Sequence, residues 1–204
     1  MQNAAFAARG LDWTYVALDV PPERLEEAVN GLAALGFAGA NVTAPHKAAV
    51  AKIVGSGFPS VNTLVLRRGR LEAFSTDTAI LAGLGAERPV IVGDGGAATA
   101  FLYALPHARV FSRRSEWPPD AGDADLVVHA TPVCDEVVVK LGPGQTLVDL
   151  PYPRSVTADA AAAAGARVLD GLEVLVAQGA ASFELWTGVP APVPAMRRAL
   201  GLPA

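Results

Sequence analysis

One cysteine, Cys134, is all the thiol that 204 residues contain. An internal disulfide is excluded, and so is a cysteine-rich metal site, so no metal is expected. A chain this poor in thiols suits a reducing compartment, and the expected location is cytoplasmic. No apolar run is long enough to span a membrane, although 51% of the residues are hydrophobic. The N-terminus has no basic stretch followed by an apolar core, so no secretory signal is read there. A basic excess is missing too. The net charge is −4, which argues against a nucleic-acid partner. Repeats, low-complexity linkers and long charge runs are absent. What remains is a chain long enough for two small domains or one large one.

Residues 1–9 read as a helix stopped by Gly10. In residues 14–20, Val16, Leu18 and Val20 alternate and predict a strand. Pro21, Pro22 and Glu23 open a helix with Leu25, Ala28, Val29, Leu32 and Leu35 on its apolar face, and Gly36 stops it. With a strand over 40–43, the first region reads as βαβ, with helices over a mostly parallel sheet. A helix over 48–54, a strand over 60–66 and a hairpin return over 71–74 follow. A further helix is expected over 78–84, with Asp77 available to cap it.

Residues 85–89 are read as a domain boundary. Beyond it, strands over 89–92, 108–112, 126–130, 146–150 and 167–169 predict a Rossmann-like parallel sheet. The crossover at 117–125 carries Pro118 and Pro119 and is too short for the usual helix. The chain is thus α/β: an N-terminal domain over 1–86, a dinucleotide-binding domain over 87–186, and a C-terminal helix within 187–204 that returns to the first.

Two stretches carry chemistry. In Gly39-Ala40-Asn41-Val42-Thr43-Ala44-Pro45-His46-Lys47, a strand runs into a proline placed for the first turn of a new helix. Asn41 and Thr43 alternate, so an amide, a hydroxyl and the Lys47 amine converge at a strand-to-helix corner. The same spacing also suits a solvated lysine after an ordinary turn. The second stretch is Gly93-Asp94-Gly95-Gly96-Ala97-Ala98, a G-x-G-x-x-A fingerprint between a strand and a helix. Gly93 makes the turn, Gly95 lets a backbone approach a pyrophosphate, and Ala98 allows close packing. Gly96 and Ala97 add amides at the helix start. Asp94 is out of place beside phosphates unless it points away from them. The next strand ends Ser112-Arg113-Arg114, where NAD sites carry an acid. Two guanidiniums there suit a 2′-phosphate, so the expected cofactor is NADP.

Asn41-Val42-Thr43-Ala44-Pro45-His46-Lys47 closely resembles the signature of the shikimate dehydrogenase family. Four further stretches resemble that family in the same order. They are Asn62-Thr63-Leu64, Ser75-Thr76-Asp77, the run from Asp125 to Thr131, and the run from Asp170 to Gly188. The resemblance implies NADP-dependent, reversible reduction of 3-dehydroshikimate to shikimate, with the substrate held between two domains. It implies Lys47 as the acid/base and Asp77 as its partner. Asn41, Thr43, Asn62 and Gln178 are implied at the substrate, and Thr131 and Gly171 at the cofactor.

Departures are visible. Ser75 stands where the family has asparagine, His129 replaces another asparagine, and Cys134 stands at a usual glycine. His129 is read as a buried, hydrogen-bonded histidine and Cys134 as a small buried residue. The family's opening strand and Ser-x-Ser-Pro segment have no counterpart in residues 1–204, with Gln2 at a place where histidine is common. The expectation is that a chain starting at Met1 would bind shikimate weakly and keep its NADP site. Two other readings stay open: a nucleotide- or metabolite-binding relative without turnover, and a quinate-type dehydrogenase.

Overall fold

Seven helices and eight strands alternate along the computed structural model, which describes residues 1–204. In chain order they begin with α1 (Gln2–Ala8), α2 (Leu25–Ala34), β1 (Gly39–Asn41), α3 (Lys47–Ile53), β2 (Thr63–Arg67) and β3 (Arg70–Phe74). Next come β4 (Pro89–Val92), α4 (Gly96–Ala104), β5 (Arg109–Phe111), β6 (Leu126–His129), β7 (Thr146–Asp149) and α5 (Val156–Ala163). The chain closes with β8 (Arg167–Leu169), α6 (Gly171–Thr187) and α7 (Val193–Arg198). Two units result, one of Met1–Thr76 with Val176–Ala204, the other of Asp77–Leu175. The break falls before the 85–89 boundary read from sequence, because Ile80, Leu81 and Leu84 pack into the core of the second unit.

The first unit holds a three-stranded sheet in the order β1-β2-β3, and both pairings are antiparallel. The expectation of a mostly parallel sheet is therefore overturned for this region. The predicted strand over 14–20 is absent as well. Alternation alone does not make a strand, because a strand needs a ladder partner. Here the Asn3 carboxamide takes that place, bonding the Tyr15 N–H at 2.6 Å and the Tyr15 carbonyl at 3.0 Å. Val16 and Leu18 stay exposed.

Leu25, Val29 and Leu32 of α2 meet Val50 and Ala51 of α3 over Val61 and Leu64. Leu35 does not join this face; it is 73% exposed, one residue past the helix end. A second cluster packs Ala5 and Phe6 of α1 against Phe183 of α6 and Met196 of α7. Along α6, Val176 and Phe183 are buried, whereas Leu175 is exposed. Trp186 of α6 donates to the Leu64 carbonyl at 2.9 Å and so ties α6 to β2.

The second unit is a five-stranded parallel sheet in the order β5-β4-β6-β7-β8. Its central strands are mostly apolar because both faces are covered, with His129 and Asp149 at their carboxyl ends. Val90, Val92, Val127 and Leu147 face one core, and Ile91, Leu126, Val128 and Val148 face the other. No helix forms between β5 and β6, as the two prolines and the short span predict. The helix expected over 78–84 shrinks to one 3₁₀ turn, Ala79–Leu81, which carries no side-chain cap. Asp77 stands just before Thr78, the residue at the N-cap of that turn. Ser155 caps α5 by accepting from the Ala158 N–H, and the Asp170 carboxylate accepts from Leu172 and Glu173 at the start of α6.

Asp125 pins the start of the parallel sheet. It precedes β6 and accepts the N–H groups of Glu87 at 2.6 Å and Arg88 at 3.0 Å, just ahead of β4. Burial works against its charge, but the donated backbone hydrogen bonds outweigh it and hold its carboxyl below the usual carboxylate range. Asp125→Ala should lower unfolding free energy by about 1 kcal/mol at neutral pH, after discounting for solvent screening. A depressed folded pKa means the contribution is complete above the unfolded value. It is lost as pH falls through the folded value. Urea denaturation should show the gap between the two proteins at about pH 7 and a smaller one at about pH 3.

Candidate active site

The β1–β2–β3 sheet brings a set of amides and hydroxyls together where α6 crosses it. Asn62 is 2% exposed. Its Oδ1 accepts the Thr76 N–H at 2.6 Å, and its Nδ2 donates to Thr76 Oγ1 at 3.0 Å and to Gln178 Oε1 at 3.1 Å. Asn41, at the end of β1, donates through Nδ2 to Thr63 Oγ1 at 3.1 Å and Ser182 Oγ at 3.0 Å. Its Oδ1 accepts the Tyr15 hydroxyl at 3.1 Å, and burial pushes that phenol's pKa up. Thr63 and Ser182 are fully buried, 2.9 Å apart through their hydroxyls.

Three of the predicted substrate residues, Asn41, Asn62 and Gln178, thus share one network. Thr43 does not. β1 ends at Asn41, so the expected Asn41/Thr43 alternation along a strand fails, and Thr43 lies exposed in the turn before α3. Pro45 sits in that turn too, outside the helix. Lys47 opens α3, where the expected helix begins one residue later. Its backbone carbonyl accepts the Val61 N–H at 3.2 Å, which places Lys47 beside the chain segment that carries Asn62. Asp77 follows Thr76 directly and is 9% exposed. Ser75 keeps a buried hydroxyl oxygen with no hydrogen-bond partner.

Sequence reading passed over Thr63, Thr76 and Ser182 as site residues. A signal existed for Ser182, which stands four residues after Gln178 and so on the same helical face. Its hydroxyl donates to the Gln178 carbonyl at 2.9 Å.

In the second unit, β4 has β5 on one side and β6 on the other, so the order reverses there. In open α/β sheets such a switch point is where ligands bind, beyond the carboxyl ends of the strands. Gly93 follows β4 and Thr131 follows β6. Gly93 has φ +125°, and a Cβ on it would lie 2.7 Å from the Ala130 carbonyl oxygen, so only glycine fits. Gly95 and Gly96 face open space, and Gly95 begins α4 with no side-chain cap. The first amides of α4 are thus not capped by the side chain of the residue before them. Ala97 is exposed beside them, while Ala98 is buried against the sheet, as close packing requires.

Beyond β5, Ser112 is buried and its hydroxyl bonds Ser115 at 3.0 Å, shaping the turn that exposes Arg113 and Arg114. Arg113 pairs with Glu136 and lies over the Trp117 ring, 5.3 Å from its centroid. Arg114 pairs with Asp94 at 3.5 Å. The acid in the glycine turn therefore faces an arginine.

His129 is fully buried. Its Nδ1 meets Asp149 Oδ1 at 2.7 Å and its Nε2 meets the Thr131 hydroxyl at 2.6 Å. Asp149 also accepts from Ser155 through its hydroxyl, at 2.8 Å, and its N–H, at 3.1 Å. The histidine thus has both ring nitrogens satisfied and orients Thr131. Cys134 is half-buried, its Sγ facing the carbonyls of Pro132 and Pro153. Gly171 opens α6 against the Pro151 backbone. No group of histidine, cysteine and acidic residues is arranged to hold a metal ion.

Residues 1–57 match the family described as the shikimate dehydrogenase substrate binding domain, and residues 171–200 match the shikimate 5′-dehydrogenase C-terminal domain. The chain is similar to a shikimate dehydrogenase (NADP(+)) of Anaeromyxobacter dehalogenans, 39% identical over 249 residues. That alignment covers 98% of this chain and 89% of the relative. One of the same name from Methanopyrus kandleri is 38% identical over 261 residues, covering 98% and 89%. Among solved structures, a Thermus thermophilus shikimate 5-dehydrogenase in complex with NADP(H) and shikimate superposes with a TM-score of 0.81. It is 29% identical, with 97% of this chain and 91% of that chain covered.

The Ser182 hydroxyl is buried among Asn41, Thr63, Thr76 and the Gln178 carbonyl. Ser182→Ala leaves those groups short of a partner, so it should cost ~1–3 kcal/mol of stability, measured by denaturant unfolding. An unchanged midpoint would show that the network closes up without it.

Proposed function

The chain belongs to the shikimate dehydrogenase family, and we propose that it is an NADP-dependent shikimate dehydrogenase in which Lys47 moves the proton. The reaction is the reversible reduction of the 3-dehydroshikimate ketone to the shikimate hydroxyl, a step of aromatic amino acid biosynthesis. The observation that carries this is the shared network of Asn41, Asn62 and Gln178, with Lys47 tied through Val61 to the same segment.

Each polar residue then has a task. Lys47 Nζ gives its proton to the carbonyl oxygen as negative charge develops there, and takes it back in the reverse direction. Asp77 holds the Lys47 amine and a ring hydroxyl. Asn41, Thr43, Asn62 and Gln178 bind ring hydroxyls. The buried bonds among Asn62, Thr76, Thr63 and Ser182 keep these amides from turning, so orientation is set before substrate arrives.

The second unit suits NADP. Open space at Gly95 and Gly96, with uncapped amides at the start of α4, fits a pyrophosphate, and the exposed arginines after β5 fit a 2′-phosphate. Thr131 and Gly171 would lie toward the nicotinamide half. When bound, the cofactor supplies or accepts the hydride. No helix is long and apolar enough to cross a membrane. A cytoplasmic enzyme working on a small polar acid is the setting we propose, as a monomer or homodimer.

Absorbance of the reduced nicotinamide should rise with shikimate and NADP, and less with quinate or NAD. Lys47→Ala should lower turnover by ~10²–10⁴-fold with cofactor affinity nearly unchanged. NADP should be preferred over NAD by at least about tenfold, and Arg113→Ala should narrow that gap through the NADP KM. Near-normal turnover in Lys47→Ala, or equal use of both cofactors, would sink the respective assignment.

A further inference from the structure

The two arginines after β5 are each already engaged by an acid of the same unit, and the stronger partner is built in. Glu136 lies in the loop between β6 and β7, and its backbone does not float. The buried Thr157 hydroxyl donates to the Glu136 carbonyl at 3.2 Å and accepts the Val138 N–H at 2.9 Å. Val138 and Val139 continue the loop into the core. The Glu136 carboxylate is thereby held over the Arg113 guanidinium, which is braced from another side by Trp117. Arg114 has a weaker counterpart in Asp94, at 3.5 Å and with the Arg114 side chain 85% exposed.

We propose that Glu136 is a specificity-determining residue that acts as an internal competitor for the cofactor's 2′-phosphate at Arg113. The proposal rests on the reading of residues 112–114 as the 2′-phosphate seat.

The physical argument is one of charge and space. A guanidinium offers five N–H donors in a fixed fork, and a phosphate uses such a fork best when it takes paired bonds. A carboxylate on one edge occupies part of that fork. If the phosphate displaces Glu136, the ion pair must be broken first. If it takes another edge, two anions share one cation at close range. Either course weakens binding of the phosphorylated cofactor and leaves the unphosphorylated one untouched. The penalty is modest, because the pair is partly solvated: the side chains of Arg113 and Glu136 are 62% and 53% exposed. Glu136 thus sets how far the arginines favour NADP over NAD, and the effect should fade as salt screens the carboxylate.

Calorimetric titration of the full chain with adenosine 2′,5′-bisphosphate and with AMP reads this without turnover. Glu136→Gln keeps an acceptor for Arg113 but loses the charge. It should tighten the bisphosphate about two- to fivefold, leave AMP unchanged, and do so less at high salt. Arg113→Ala is the control for the seat, and should weaken the bisphosphate by at least about tenfold. If Arg113→Ala weakens it and Glu136→Gln leaves it equal or weaker, Glu136 only steadies Arg113 and the competition is refuted. If Arg113→Ala changes nothing, the seat itself is misplaced and the proposal falls with it.

Discussion

The first unit depends on one buried carboxamide. Asn62 sits at 2% exposure with two donor hydrogens and a carbonyl oxygen, and a polar group left unpaired there would cost about 1–3 kcal/mol. Thr76, two residues past β3, lies within reach of both of its ends, and α6 brings Gln178. Asn62 and these two partners come from three separate parts of the chain. Meeting the demand of one amide therefore fixes where β2, β3 and α6 stand relative to each other. Ser182 extends the same logic, since its hydroxyl is shared among Asn41, Thr63 and Thr76. The amides that would read a substrate's hydroxyls are oriented by bonds that are buried and hence strong.

The second unit is organised differently. Its central strands are mostly apolar, so the polar groups gather at and just past their carboxyl ends, where the sheet order reverses. Gly93 has no room for a side chain beside Ala130, and this close approach brings the turn after β4 against the turn after β6. Beneath that contact, His129 and Asp149 form a fully buried pair that reaches Thr131 on one side and Ser155 on the other. An asparagine at 129 would be shorter than the imidazole. The larger ring bridges the ends of β6 and β7 in one span.

Local signals were read well where they were truly local. The strand at 89–92, the glycine turn, the hairpin at 63–74 and the strand at 167–169 all follow from short-range chemistry: apolar runs, glycine, a tight turn. Errors arose where neighbours decide. Val16, Leu18 and Val20 alternate as a strand should, yet the segment has only an asparagine side chain for a partner. Residues 78–84 read as a helix, but Ile80, Leu81 and Leu84 are drawn into a core that leaves room for a single turn. Leu35 obeys helical spacing and still faces solvent.

The sequence by itself determined which reactive groups this protein holds. Lys47, Asn41, Asn62, Asp77, Gln178 and the paired arginines are residue types that no fold can supply by rearrangement. Short spacings such as Gly93-x-Gly95 carry their own geometry, because a turn is built from consecutive dihedrals. The tertiary structure decided which of these groups meet. That Asn62 touches Gln178, that Ser182 meets Asn41, Thr63 and Thr76, that β1 stops before Thr43, and that Glu136 lies on Arg113 depend on sheet order and core packing. Those are long-range outcomes, settled by which apolar faces bury each other and which polar atoms must then find partners.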